Sequence, residues 1–463
     1  MNFNKFIGNK AFYKHTLAIA LPIMIQNGIT NFVSMLDNIM LGRVGTEQMS
    51  GVAIVNQLLM IYYLCIFGGV AGAGIFTAQY YGTKDNEGIR NTVRFKILIS
   101  AFLTVLAFII FTVFDTQLIT SYLRGGSDGG DLSAALHYGR QYLKIMLVGL
   151  LPFMMLQVYT GTLRECNETV VPMKAGIVAV FVNLILNYLL IYGKFGFPKL
   201  GVVGAALATV TARYTEAAIV IIWTHKNKDK HKYIVGVYKK LLIPLSLFKK
   251  MVIKGLPLLV NETLWSGGMA TLAQCYSIRG LSVVAGMNIA NTIYNVFNIV
   301  FIAMGDAVAI IVGQLLGADK LKEAKDTDTK LIAFSVFSCV IISIIMLIIA
   351  PLFPRLYNTT PQARSVAVQF IVAQALFMPQ NAFIHAAYFT LRSGGKTIVT
   401  FLFDSVFMWA LSIPVAFIAS RYTNLPAVYL FVVVQLLDII KCIIGFILVK
   451  NGVWVKKIVA KSQ

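Results

Sequence analysis

The sequence predicts an all-α integral membrane protein. It should have twelve transmembrane helices in two six-helix bundles, related by a pseudo-two-fold axis along the membrane normal. Three observations lead there. Hydrophobic residues make up 58% of the 463 and charged residues only 13%, with a mean hydropathy of +0.76, whereas soluble domains carry roughly 25% charged residues. Apolar segments of spanning length, about 20 residues each, are centred near residues 28, 65, 103, 148, 181 and 212, and again near 264, 300, 341, 377, 409 and 437. The third observation is that the second set repeats the first.

The repeat can be followed residue by residue. LPIMIQNGIT, from Leu21, resembles LPLLVNETLW, from Leu256, and Pro22 maps to Pro257 at an offset of 235. Without a gap, the same offset maps Gly51 to Gly286, Asn56 to Asn291, Gln79 to Gln314 and Gly82 to Gly317. Further on, Thr162, Leu163 and Arg164 map to Thr390, Leu391 and Arg392 at an offset of 228. The expected organisation is an N-terminal lobe over residues 1–225, a basic linker over 226–249 and a C-terminal lobe over 250–463. Six spans per lobe is an even number, so each lobe enters and leaves on one side, and the repeats are parallel.

Charge placement sets the orientation. The net charge is +21, a balance that on its own suits a nucleic-acid partner, but the basic residues alternate with the spans instead. Lys5, Lys10 and Lys14 precede the first span; Lys84, Arg90, Arg94 and Lys96 follow the second; Arg164 and Lys174 lie between the fourth and fifth. The linker HKNKDKHKYIVGVYKK, the run from Lys320 to Lys330 and the tail from Lys450 complete one side. The other side has the loop DTQLITSYLRGGSDGGD with scattered Arg43, Lys194, Lys199, Arg279 and Arg355. This is the positive-inside pattern, with both termini cytoplasmic. It implies attraction to anionic membrane lipid and no nucleic-acid partner. The first apolar stretch is too long for a cleavable signal and lacks a small-residue cleavage site. Five cysteines without CxxC spacing imply neither a disulfide framework nor a metal site.

Each span has its own punctuation. The first contains Pro22, a point of helix bending, and Asp37 fifteen residues later. A carboxylate at the bilayer centre costs about 2.5–3.5 kcal/mol on insertion scales, so such acids face a bundle interior or water and mark a pathway. The second span ends at YYGTKD, the third opens on Arg90 and Arg94, and the fourth ends at LREC. The fifth carries Asn183 and Asn187, four apart and therefore on one face. The sixth carries Thr209, and Glu216 three residues after Arg213, a spacing that pairs them. The seventh repeats the proline as Pro257 and adds Glu262. The eighth has Asp306 and ends at LLGADK, and the ninth opens after the lysine run. The tenth holds Asn381 and His385 and ends at LRSG. The eleventh has Asp404, and the twelfth has Asp438 three residues before Lys441. Asp37 maps to Leu272 and Glu262 to Asn27, so both acids break the repeat and packing alone does not demand them. Two readings stand for His385: a proton-transfer group with a pKa near 6.5, or a buried histidine satisfied by a neighbour.

These motifs, in order and in both halves, resemble the multidrug and toxic compound extrusion (MATE) family, within the larger superfamily that includes lipid-linked flippases. The resemblance rests on LPIMIQNGITNFVSMLDNIMLGRVGTEQMSGVAI, YYGTKD and LLGADK, LREC and LRSG, and FGFPKLGVVGAALAT. It implies a secondary antiporter that exports small organic cations in exchange for Na⁺ or H⁺. It further implies a coupling site joining Asp37 to Asn183, Asn187 and Thr209, with Asp37 as the only charge. In another branch of the family the site lies in the second half. That points to Glu262, with Asp404 compensating for Asn381, which stands where the branch has an acid. Asp306, Asn381 and His385 are assigned to the substrate cavity. The asparagines have a plainer alternative as interhelical glue worth about 0.6 kcal/mol per contact. No cofactor and no metal beyond transported Na⁺ is expected. The chain is expected to act as a monomer in the plasma (inner) membrane.

Other classes fit less well. A flippase for a lipid-linked anionic substrate would favour basic residues within the spans, and these spans hold acids and almost no lysine. An enzyme would need a cluster of nucleophile, acid and base, and none is seen. No phosphate-binding loop is present, and nothing resembles a channel filter.

Overall fold

The computed structural model describes residues 5–42, 44–123 and 132–460. Arg43 and residues 124–131 of the Gly-rich loop, placed above on the non-cytoplasmic side, lie outside the described residues. Every regular element among the described residues is a helix.

The first half contains α1 (Lys10–Gly42), α2 (Thr46–Thr83), α3 (Asn86–Val113), a short α4 (Asp115–Leu123), α5 (Leu132–Val148), α6 (Leu150–Glu165), α7 (Val170–Tyr192) and α8 (Val202–Lys226). The second contains α9 (Leu245–Ser277), α10 (Leu281–Phe297), α11 (Ile299–Gly317), α12 (Leu321–Ile349), α13 (Pro361–Ser393), α14 (Thr397–Phe401), α15 (Ile413–Tyr422) and α16 (Ala427–Lys450). Among the described residues, ten helices have the length and composition to span on their own, and α5 with α6, bent by 47°, makes an eleventh. Pro152 explains that bend, because its ring crowds the Val148 carbonyl and removes one backbone donor. The twelfth is α9, which matches its repeat α1 at 33 residues but is made more polar by Lys254, Asn261 and Glu262. Between α14 and α15 the backbone widens into two π-helical turns, Leu402–Val406 and Met408–Ser412. Pro414 follows directly and crowds the Ala410 carbonyl inside the second turn.

The described chain forms two compact units. One holds Ile25–Thr77 and Asn86–Val252; the other holds Met1–Met24, Ala78–Asp85 and Ile253–Gln463. The division within α1 falls two residues after Pro22.

In the first of these units the helices meet through small residues, as helices in lipid do. A Cβ on Gly51 of α2 would lie 2.5 Å from the Ala135 carbonyl of α5. In the other unit a Cβ on Gly286 of α10 would lie 3.0 Å from the Ala363 carbonyl of α13. Gly51 and Gly286 are related by the 235 offset, Ala135 and Ala363 by the 228 offset, so the two halves repeat a contact as well as a sequence. The LR motifs are anchored differently. Thr162 accepts from the fully buried Lys96 Nζ at 3.1 Å, and that ammonium pairs with Glu165 at 2.5 Å. Its repeat Thr390 donates to the fully buried Asp328 at 2.6 Å. Arg94 gives its guanidinium to the Val237 and Gly236 carbonyls of the linker. Lys96 and Arg94 therefore serve the fold and are not lipid-facing charges as the loop pattern suggested.

In the other unit, Ala290, Ile293, Phe301, Cys339, Met346, Phe370 and Met378 form a core among α10 to α13. The end of α2 crosses the end of α11 there by backbone contact. A Cβ on Gly82 would lie 2.0 Å from the Gln314 carbonyl, and one on Gly317 would lie 1.9 Å from the Gln79 carbonyl. The four residues are two repeat-related pairs, so the contact is reciprocal, as a two-fold requires. Only glycine permits so close a crossing. The buried Gln79 side chain donates to the carbonyls of Ser393 at 3.0 Å and Lys456 at 3.3 Å, and accepts from Ile458 N at 2.8 Å. That clamps the C-terminal tail. Consistent with this, 67% of the apolar window is buried in α2 and α11, against 22% in α3 and α12 and 17% in α16, whose faces are left for lipid.

Candidate functional site

The first-half residues come together as one hydrogen-bonded chain. Asn187 Nδ2 donates to Asp37 Oδ1 at 2.6 Å and to Asn183 Oδ1 at 3.0 Å. Asn183 Nδ2 in turn reaches Thr209 Oγ1 at 3.5 Å. Three helices converge here: α1 brings the acid, α7 the two amides, α8 the hydroxyl. The four-residue spacing on α7 is what lets one asparagine hold the next. Asn183 and Asn187 are 4% and 1% exposed, while Asp37 is half-buried. Among the described residues Asp37 makes no ion pair. A hydrogen bond to a carboxylate contributes about 1.5–3 kcal/mol, which offsets part of the cost of placing a charge in the membrane. One acceptor is left over: Asn187 Oδ1 is buried without a hydrogen-bond partner. A carboxylate, a free amide oxygen and a hydroxyl form an oxygen set of the kind a hard cation takes.

A family model, MatE, matches residues 22–189 and 257–418. The chain belongs to the MatE family. The two matched ranges open on Pro22 and Pro257, the pair that opens the repeat. The chain is 26% identical over 420 residues to the probable multidrug resistance protein NorM of Thermotoga maritima, covering 89% of this chain and 86% of that protein. It is 24% identical over 416 residues to the probable multidrug resistance protein YoeA of Bacillus subtilis, covering 88% and 86%. The fold matches a crystal structure of MATE in the straight conformation with a TM-score of 0.83 at 18% identity, covering 98% of both chains. It also matches an outward-facing multidrug resistance MATE transporter at 0.81 and 19%, covering 97% of this chain and 98% of that one.

The second half of this MatE chain is assembled differently from the expectation. Asp404, on the first π-helical turn, accepts from Asn261 Nδ2 at 3.0 Å. Asn261 also reaches Tyr388 Oη at 3.4 Å, and its own Oδ1 accepts from the Ser405 hydroxyl at 2.7 Å. Lys441 Nζ lies 3.9 Å from Asp404 Oδ1 and 3.3 Å from Asp438 Oδ1. The sequence marked Glu262, but its neighbour Asn261 does the holding. One residue on a helix is a turn of about 100°, enough to swing Glu262 out of hydrogen-bond reach. Glu262 makes no hydrogen bond among the described residues, although its carboxylate is within electrostatic range of Arg392 and Asp404.

The cavity candidates do not form one cluster among the described contacts. Asn381 donates to Tyr294 Oη at 3.4 Å. His385 packs against the rings of Phe301 and Phe389, at 5.4 and 4.9 Å, and its Nε2 is buried without a partner. Asp306 is half-buried on α11, next to Gly305, on which His385 rests. Pro22 and Pro257 lie inside α1 and α9. Glu216 takes its hydrogen bond from Gln26 at 3.5 Å and not from Arg213. Arg213 donates to Tyr63 Oη at 2.6 Å and lies over the rings of Tyr63 and Phe153. The i,i+3 spacing brought the two near, but the aromatic pair offers the guanidinium both a hydroxyl and a π-face.

Proposed function

We propose that this chain is a secondary antiporter that exports small organic cations in exchange for Na⁺ or H⁺, with Asp37 as the coupling group. The observation that carries the reading is the Asp37–Asn187–Asn183–Thr209 chain. It places a single membrane carboxylate among neutral oxygens, with one amide oxygen unused. The names of the relatives, multidrug resistance proteins, support the substrate class.

The chemistry follows from charge. With no cation in place, Asp37 carries its charge against one amide donor. A cation, or a proton on the carboxyl, neutralises it. A state of the protein that buries this region more deeply is therefore favoured once the site is filled, and differential affinity between two states is what couples ion to substrate. Pro22 lies in the same helix, and the compact units divide two residues beyond it, which makes it the proposed point of bending. The remaining expectations join this reading: lobes over 1–225 and 250–463, a monomer in the inner membrane, cytoplasmic termini, and no covalent chemistry or cofactor. Efflux of a cationic dye from vesicles of the purified protein, with Na⁺ and pH gradients imposed separately, tests it. Efflux driven by neither gradient rejects it.

A further inference from the structure

Asp37 and Asp404 each accept from one asparagine, Asn187 and Asn261, and they differ in what else stands beside them. Asp37 has no ion pair among the described residues. Asp404 and Asp438 have Lys441, a buried residue whose ammonium lies 3.9 and 3.3 Å from the two carboxylates and 5.0 Å from the Phe407 ring centroid. A buried lysine is costly unless its charge is compensated, and two acids with an aromatic face compensate it. The surroundings are built for a cation. Asp404 sits on a π-helical turn, a distortion common at functional sites. Asn261 fixes the carboxylate from α9, and the Ser405 hydroxyl fixes Asn261 in turn. This arrangement has the parts of an ion site, with a side chain seated where the ion would be.

We propose that Lys441 is a tethered cation that fills the carboxylate site of the second half, so that the free coupling cation is taken in the first half alone. The inference rests on the cation-antiport reading above and assigns that reading to one half. Lys441 is then a specificity-determining residue: it occupies the space between Asp404 and Asp438 and cuts their joint charge from two negatives to one, which denies a small inorganic cation a second foothold. Its removal leaves Asp404 and Asp438 without their ammonium, and a small hard cation can take its place among oxygens.

The test is binding and needs no transport. Thermal unfolding of the detergent-purified protein is followed as NaCl replaces CsCl at constant ionic strength. Variants in the Asp37→Asn background remove the first-half site. Asp37→Asn alone should show no Na⁺-specific rise in unfolding temperature. Adding Lys441→Met should create one, and adding Asp404→Asn to that pair should abolish it. A Na⁺-specific rise that survives in Asp37→Asn with Lys441 intact overturns the proposal. So does a folded Asp37→Asn, Lys441→Met protein indifferent to Na⁺. Should the methionine variant fail to fold, Lys441→Gln, which keeps a polar amide donor at this position without the charge, is read by the same criteria. Failure of the antiport reading would appear separately, as wild-type vesicles without gradient-driven efflux.

Discussion

Under the coupling role proposed for Asp37, its replacement with asparagine should separate transport from folding. In the wild type, Asn187 donates to a carboxylate at 2.6 Å, a bond worth about 1.5–3 kcal/mol, against about 0.5–1.5 kcal/mol for its neutral counterpart. Asp37→Asn keeps an oxygen for Asn187, so about 1–1.5 kcal/mol of bonding is lost. Removing the charge also removes a membrane penalty of about 2.5–3.5 kcal/mol on insertion scales. The two terms oppose, and the unfolding temperature should stay the same or rise slightly. Gradient-driven efflux from vesicles, by contrast, should fall to the leak rate of empty vesicles, because no carboxylate is left for the ion or proton to neutralise. The assay is dye efflux paired with a melting curve on the same preparation. Wild-type efflux in Asp37→Asn refutes the assignment. An efflux loss matched by a fall in unfolding temperature refutes the separation of coupling from folding.

Four further outcomes are expected. Asn187→Leu leaves Asp37 without its donor and should lower the unfolding temperature by the equivalent of about 1–3 kcal/mol, visible in the same melting assay. Gly82→Val places a Cβ where the Gln314 carbonyl is 2.0 Å away and should destabilise by about 1–3 kcal/mol or more, whereas Gly267→Ala, whose nearest neighbour is Trp409 at 3.6 Å, should melt as the wild type does. Gln79→Leu cuts all three bonds to Ser393, Lys456 and Ile458, and limited trypsin digestion should then cleave faster at Lys456 and Lys457. His231 lies in the linker, outside the spans; burial, with Lys230 beside it, holds its imidazole below its ordinary value of 6.5. Its neutral form thus contributes stability that is full above about pH 6.5 and lost as pH falls through the lower folded value, so acidification should lower the unfolding temperature less in His231→Phe than in the wild type.

The sequence carried the helix count and the repeat because both depend on patterns of spanning length, and the bilayer enforces these directly. The polar α9 was counted through its likeness to α1, and the glycine contacts later matched the same two offsets. The first-half hydrogen-bonded chain was readable because two of its members sit at helical spacing on α7 and because the family resemblance supplied the partners on α1 and α8. The second half was harder for a geometric reason. Asp404, Asn261 and Lys441 lie on three elements, and nothing local joins them. The i,i+3 rule found Lys441 for Asp438 but not its second acid, while Pro414, which accompanies the π-helical turn, carried no signal of how far upstream the helix would widen. Arg213 shows the converse: spacing proposed Glu216, which stays within electrostatic range of the guanidinium, while the tertiary neighbours Tyr63 and Phe153 take its hydrogen bond and its π-face.

The Gln79 clamp also has a meaning in time. Its partners at Lys456 and Ile458 are 377 and 379 residues away in the chain. During synthesis the Gln79 amide has two of its three bonds unmade until Ile458 has been made, and a buried amide left so costs about 1–3 kcal/mol per unmade bond. A chain cut short before Lys456 keeps that penalty permanently, at the place where α2 and α11 approach within backbone contact. Residues 456–458 thus complete the burial of the end of α2 long after α2 itself has been made. Whatever handles nascent membrane proteins meets a helix end that stays unsatisfied until Ile458 has been made and is sealed only then.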